Sequence, residues 1–198
     1  MSETRGKDLI STKVKIAVLS ICVAIGTVMA AILRFDGRVW WCKSGDRAIY
    51  IHDAWNSSHT SQHLLDPYAF THILHGVLMF WIAGLIFKNL SAYWQLAIAA
   101  LAEAGWEIFE NSNYVIEKYR ANTAALDYFG DSIANSIGDL LACLLGFWIA
   151  AKLGWWKSFA FFLAVELLLL IWIRDSLLLN IVMLVYPIDS LKTWQNGA

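Results

Sequence analysis

From Ile16 to Leu33 the chain carries no charged side chain. A helix needs about 20 apolar residues, range about 17–25, to cross a bilayer, and the stretch 14–33 meets that requirement. Further apolar runs cover about 69–87, 92–108, 133–151 and 153–173. Backbone in hydrocarbon must satisfy its hydrogen bonds within its own segment. The expectation is therefore all-α: a polytopic transmembrane helical bundle of five spans forming one domain, 1–198. The shorter run 176–188 stays open among a sixth span, a re-entrant segment and an interfacial helix. Residues 34–68 form a long outer loop. A cleaved leader, with Val28-Met29-Ala30 as the small-residue site, is the alternative for the first run, but that run is longer than an ordinary leader core.

Composition excludes several other classes. Hydrophobic residues make up 59% and charged residues 16%, against about 45–50% and about 25% in soluble domains. Such a chain is too apolar and too aromatic to be disordered. With 3 Cys in 198 residues it is no disulfide scaffold. A net charge of −1 with no basic run argues against nucleic-acid binding. Cys22 and Cys143 read as small apolar fillers within spans. Cys42 reads as facing outward, without a loop partner for a disulfide.

Basic residues orient the bundle. Arg5, Lys7, Lys13 and Lys15 crowd the N-terminal tail, and Lys88, Lys152 and Lys157 sit in or beside very short connections. The other side has Arg34, Arg38, Lys43, Arg47, Lys118, Arg120 and Arg174, spread over longer loops. Basic density places the N-terminus in the cytoplasm.

With that threading, polar residues from separate segments converge at one level. All 5 His lie between positions 52 and 75. His59 and His63 are spaced i, i+4. His72 and His75, spaced i, i+3, share a face at the start of the second span. Glu103, Glu107 and Glu110 form a stripe late in the third span. Asp131, Asn135 and Asp139 form another early in the fourth, and the fifth ends at Arg174-Asp175. Ionisable groups inside a membrane are costly and need partners. Candidates here are His72, His75, Arg120, Arg174 or a bound cation. Asp131-Ser132 also reads as a helix N-cap. Glu166, alone in the fifth span, reads as a structural group paired within the bundle. Clustered His, Asp and Glu suit a divalent cation or an acid–base pair. The spacing matches no His-Glu-x-x-His or Cys-x-x-Cys signature. Candidate catalytic residues are His72, His75, Glu107, Glu110, Asp131 and Asp139. Asn111, Arg120, Asn135 and Arg174 are supporting polar groups. His59, His63, His72 and His75 are candidate metal ligands, and the cofactor is otherwise open.

At these residues the chain resembles Uncharacterised Protein Family 0314, small multi-pass bacterial inner-membrane proteins with a domain of unknown function. The resemblance rests on His59-x-x-x-His63-x-x-Asp66-Pro67-Tyr68, Thr71-His72-x-x-His75-Gly76, Trp106-Glu107-x-x-Glu110-Asn111-Ser112, Tyr119-Arg120 and Gly130-Asp131-Ser132-x-x-Asn135-Ser136-x-x-Asp139. It runs from about Arg34 to the fifth span and departs at Asn113, where a Pro is expected. It implies a bacterial plasma-membrane location; with the orientation read from basic density, the polar cluster then lies on the periplasmic side. It carries over no reaction. Asp131-x-x-x-Asn135 is also similar, over one short motif, to VanZ-like membrane proteins.

Three functions fit the residues. The first is an envelope enzyme acting on a lipid-linked substrate. The second is a non-catalytic binding, assembly or resistance factor contacting an envelope protein or headgroup through Trp40, Trp41 and Trp55. The third is a small proton-coupled carrier built on Glu103 and Glu166. All three need the lipid bilayer as partner and none needs nucleic acid.

Overall fold

The computed structural model describes residues 11–52, 57–123 and 128–197. Arg5, Lys7, Trp55 and Asn56 lie outside the described residues. Among those described there are seven helices and no strand. These are α1 (Thr12–Phe35), α2 (Ala69–Ile86), α3 (Ala92–Glu110), α4 (Asn113–Asn122), α5 (Ile133–Ile173), α6 (Leu177–Val185) and α7 (Asp189–Gln195). Three of them, α1, α2 and α5, are long and apolar enough to cross a membrane. α3 is of similar length, at 19 residues, but it carries Gln95, Glu103, Glu107 and Glu110.

Serine precedes five of these helices, and at four of them its side chain caps the first turn. Ser11, Ser112, Ser132 and Ser176 each accept a hydrogen bond from a backbone N–H of the first turn, where orphan donors need a short acceptor. α5 is interrupted at Gly154, whose φ of 73° only glycine adopts without strain. The arm before it meets α2 in parallel, pairing His72 with Asp139 and Phe80 with Phe147. The arm after it meets α2 in reverse, pairing Tyr68 with Asp175 and Trp81 with Ser158. The two arms therefore fold back on each other at Gly154.

α2 packs most extensively against α5, and α1 against α3. Glycine sets the first contact. A Cβ at Gly76 would collide with the backbone of Cys143 and Phe147, and one at Gly146 with the carbonyl of Ile73. Small residues let two apolar helices approach until their backbones touch. On the other side, Val18, Cys22, Met29 and Leu33 of α1 bury against Ala97, Ala100 and Ala104 of α3.

One open reading narrows and one expectation changes. α6 has 9 residues, about 14 Å at about 1.5 Å per residue, less than half a hydrocarbon core of about 30 Å. It is not a sixth span. The polar stretch after α3 is the short helix α4 rather than plain loop. Glu166 spends both carboxylate oxygens on α6, accepting from the N–H groups of Leu177 at 2.9 Å and Leu178 at 3.3 Å. This agrees with its structural reading.

Candidate functional site

The long loop 34–68 is fastened to the start of α5. Orphan N–H groups there donate to loop carbonyls: Ser132 to Ser61 at 2.9 Å, Ile133 to Val39 at 2.8 Å and Ala134 to Trp40 at 3.2 Å. Asn135 Nδ2 donates to His63 O at 2.8 Å. Asp66 receives the backbone N–H groups of Ser61 and Tyr68, at 3.0 and 2.8 Å, and so shapes the turn into α2, with Pro67 in its first position. Burial pushes the Asp66 carboxyl up to about 6, against the lowering effect of those N–H donors.

Under this loop lies a cavity of about 490 Å³, within the size range of small-ligand pockets. Its polar wall comes from α2, α3 and the first turns of α5, and its apolar wall includes Trp106, Phe109 and Ile181. Glu103 is fully buried. It accepts from His72 Nδ1 at 2.6 Å and from His75 Nδ1 at 3.0 Å to Oε1 and 3.1 Å to Oε2. A carboxylate only accepts, so both histidines are protonated on Nδ1. That leaves His72 Nε2 facing Asp139 Oδ2, at 3.9 Å.

Glu107 differs from Glu103. It is also fully buried, yet neither of its oxygens has a hydrogen-bond partner among the described residues. His72 Nδ1 lies 3.4 Å from Oε1 but already donates to Glu103. Asp139 Oδ1 is likewise buried without a partner. His72, Glu107 and Asp139 each place one ligand-type atom within 4.8 Å of the others, and so do Glu107, Glu110 and Asp131. Glu107 is common to both groups. A buried anion without a counter-charge costs several kcal/mol, so this geometry calls for a cation or a proton.

Asp131 closes the far side. It accepts from Asn111 Nδ2 at 2.7 Å and Tyr128 Oη at 3.0 Å, and its own N–H donates to Asn111 Oδ1 at 2.7 Å. Burial raises its carboxyl from the ordinary range, against the lowering effect of Asn111 and Tyr128. Burial, then Glu110, holds the Tyr119 hydroxyl well above its usual value; burial, then Asp131, does the same for Tyr128. Both phenols thus remain donors. Ser132 is the cap of α5, which frees Asp131 for the cavity.

His72, His75, Glu110, Asp131 and Asp139 line one cavity, and Glu107 lies behind them, with a carboxylate oxygen close to His72 and Asp139 and to Glu110 and Asp131. Asn111 stands behind Asp131, while Asn135 binds the loop. The two arginines are elsewhere. Arg120 donates to Tyr128 O at 2.7 Å and stacks on Phe129. Arg174 is exposed and donates to Trp194 O at 3.2 Å. His59 and His63 group separately from His72 and His75, together with Cys42. Cys42 is buried rather than outward-facing. Sequence reasoning offered His72 and His75 as partners for the buried carboxylates but left Glu103, the acceptor that joins both, off the candidate site. Nothing local marked Tyr128.

A family model described as "Protein of unknown function (DUF2585)" matches residues 33–197. The chain belongs to this family. The UPF0314 protein of Brucella anthropi is 46% identical over 180 residues, covering 89% of each chain. That of Paracoccus denitrificans is 44% identical, covering 85% of this chain and 87% of its own. That of Sphingopyxis alaskensis is 40% identical, covering 89% and 94%. The resemblance to Uncharacterised Protein Family 0314 is thus borne out. The family description names no reaction, so the site has to be read from its own chemistry. No solved structure matches the chain.

Proposed function

We propose that the protein is a multi-pass enzyme of the bacterial inner membrane that acts on a lipid-linked, amphiphilic substrate. In this reading the N-terminus is cytoplasmic and the bundle has five spans: α1, α2, α3 and the two arms of α5. The cavity opens near the periplasmic face. His72, Glu107 and Asp139 hold a divalent cation, and Glu110 and Asp131 flank the headgroup. Glu103 orients His72 through Nδ1, as carboxylates orient metal-bound imidazoles. A cation held by these residues would supply Lewis-acid polarisation of the headgroup, and Glu110 or Asp131 would move a proton. The apolar wall accepts the lipid tail.

The observation that carries this reading is Glu107, a fully buried carboxylate with both oxygens unpartnered, grouped with His72 and Asp139, which line an apolar-walled cavity. A structural network would have satisfied it. The test reconstitutes purified protein with a total lipid extract of its host membrane and follows lipid species by mass spectrometry. Wild type should consume one lipid class, and Glu107→Gln, at equal abundance, should not. Identical lipid profiles for the two proteins, with no divalent cation in either, would refute the enzyme reading.

One observation favours a second reading, a binding module: Trp40 is 58% exposed in the loop that covers the cavity. If it anchors a partner, Trp40→Ala should remove cellular function while Glu107→Gln leaves it. The carrier reading loses support, because Glu166 is engaged with α6.

A further inference from the structure

Cys42, His59 and His63 form a second constellation, away from the carboxylate cavity and independent of its assignment. Cys42 comes from the first part of the loop, and both histidines from the second. The two parts are already paired, the N–H of Leu65 donating to Ile49 O at 3.0 Å and that of Ile51 to Leu65 O at 3.2 Å. His59 Nδ1 lies 3.1 Å from His63 Nε2 and 3.6 Å from Cys42 Sγ, and all three ligand atoms fall within 4.8 Å of one another.

His63 is fully buried, and its Nδ1 lies 2.7 Å from the carbonyl of Ala48. A carbonyl only accepts, so Nδ1 carries the proton and Nε2 offers a lone pair. A backbone carbonyl holding the far nitrogen is the usual support for a metal-binding imidazole. His59 Nδ1 has one in-plane direction but two neighbours, His63 Nε2 and Cys42 Sγ. A single hydrogen bond serves only one of them; an ion placed between all three serves all. Tetrahedral zinc, with Zn–N about 2.0–2.1 Å and Zn–S about 2.3 Å, separates its ligands by about 3.3 Å (N to N) and about 3.6 Å (N to S). The observed 3.1 and 3.6 Å are close to those edges.

We propose that Cys42, His59 and His63 bind one Zn²⁺ that staples the two parts of the outer loop. A water completes the tetrahedron. A thiolate with two imidazoles selects this borderline cation over Mg²⁺ or Ca²⁺, which take oxygen ligands. The staple acts on the cavity through the chain next to it. Thr60 and Ser61 line the cavity, and the carbonyls of Ser61, Gln62 and His63 receive donors from the start of α5. Zinc thus fixes the wall over the carboxylate cluster without being part of it.

The test uses the full-length protein in detergent. Zinc is exchanged for Co²⁺, which gives a near-ultraviolet charge-transfer band only when a thiolate is a ligand. The carboxylate ligand groups contain no sulfur, and Cys143, whose thiol meets Glu103, is controlled by Cys143→Ser, which should keep the band. We expect a band in wild type, lost in Cys42→Ser, weakened in His59→Gln and unchanged in Glu107→Gln. Zinc content should fall by about one ion per chain in Cys42→Ser. A wild-type protein with no band overturns the proposal, however the variants fold. A band that survives Cys42→Ser also overturns it.

Discussion

Glu103 is the acceptor on which two histidines depend, and Glu103→Gln tests that dependence at nearly constant volume. The substitution turns one acceptor oxygen into a two-proton donor. His72 Nδ1 sits 2.6 Å from Oε1, and His75 Nδ1 sits 3.0 and 3.1 Å from Oε1 and Oε2. The remaining oxygen is well placed for one N–H only, and the new amide opposes the other. A hydrogen bond to a charged group contributes about 1.5–3 kcal/mol, and a buried donor left without a partner costs about 1–3 kcal/mol. His75 has 16% side-chain exposure, so water relieves part of the second loss. The expected destabilisation is about 3 kcal/mol, or about a hundredfold in the folding equilibrium. The assay is reversible unfolding in mixed micelles, for Glu103→Gln, His75→Gln and the double variant. The single losses should exceed the double loss in sum, because the two changes remove one shared contact. A loss below about 1 kcal/mol, or strict additivity, refutes the pairing.

Other perturbations separate packing from chemistry. Gly76→Ala drives a Cβ into the backbone of Cys143 and Phe147; it should cost more than about 3 kcal/mol and lower membrane abundance, whereas Gly105→Ala, which meets nothing within 4 Å, should be neutral in the same expression assay. Glu166→Gln leaves one acceptor for the Leu177 and Leu178 N–H groups, so hydrogen exchange at those amides should speed up about tenfold; unchanged protection would disprove the capping role. Burial raises Asp66 and Asp175 to about 6, so the folded chain holds these protons more tightly than the unfolded chain does. The stability they contribute is complete below pH about 4 and is lost as pH rises through about 6, up to about 3 kcal/mol for each group. Asp66→Asn and Asp175→Asn should each flatten unfolding free energy against pH in that window, and an unchanged slope would refute the burial effect.

The helical class and most element positions were legible because hydrocarbon leaves a chain few options. The apolar runs at 14–33 and 69–87 are α1 and α2 almost residue for residue. The paired runs at 133–151 and 153–173 are the two arms of α5, with the break at Gly154 rather than at Lys152. The segment 176–188 was not legible, because apolar composition cannot tell a membrane span from a short helix packed beside the bundle. The structure gives it as the short helix α6, whose first N–H groups donate to Glu166, a contact that links residues remote in the sequence pattern.

The sequence by itself determined which residues share a helix face: His72 with His75, Glu103 with Glu107 and Glu110, and Asp131 with Asn135 and Asp139. The period of the helix dictates these sets wherever the helix sits. It also placed their helix ends at one level, since successive apolar segments must run in alternate directions. Only the tertiary structure decided which carboxylate satisfies the histidines and which is left bare. Glu103 and Glu107 are one turn apart and chemically identical, and the rotation of α3 against α2 gives Glu103 both imidazoles and Glu107 none. The tertiary structure also separated His59 and His63 from His72 and His75 and brought Cys42 to the first pair. That division depends on how a long loop closes over the start of α5. Loop closure rests on backbone donors at the start of α5 together with the side chains of Ser132, Asn135 and Gln62, contacts between residues far apart in the chain that no local residue pattern records.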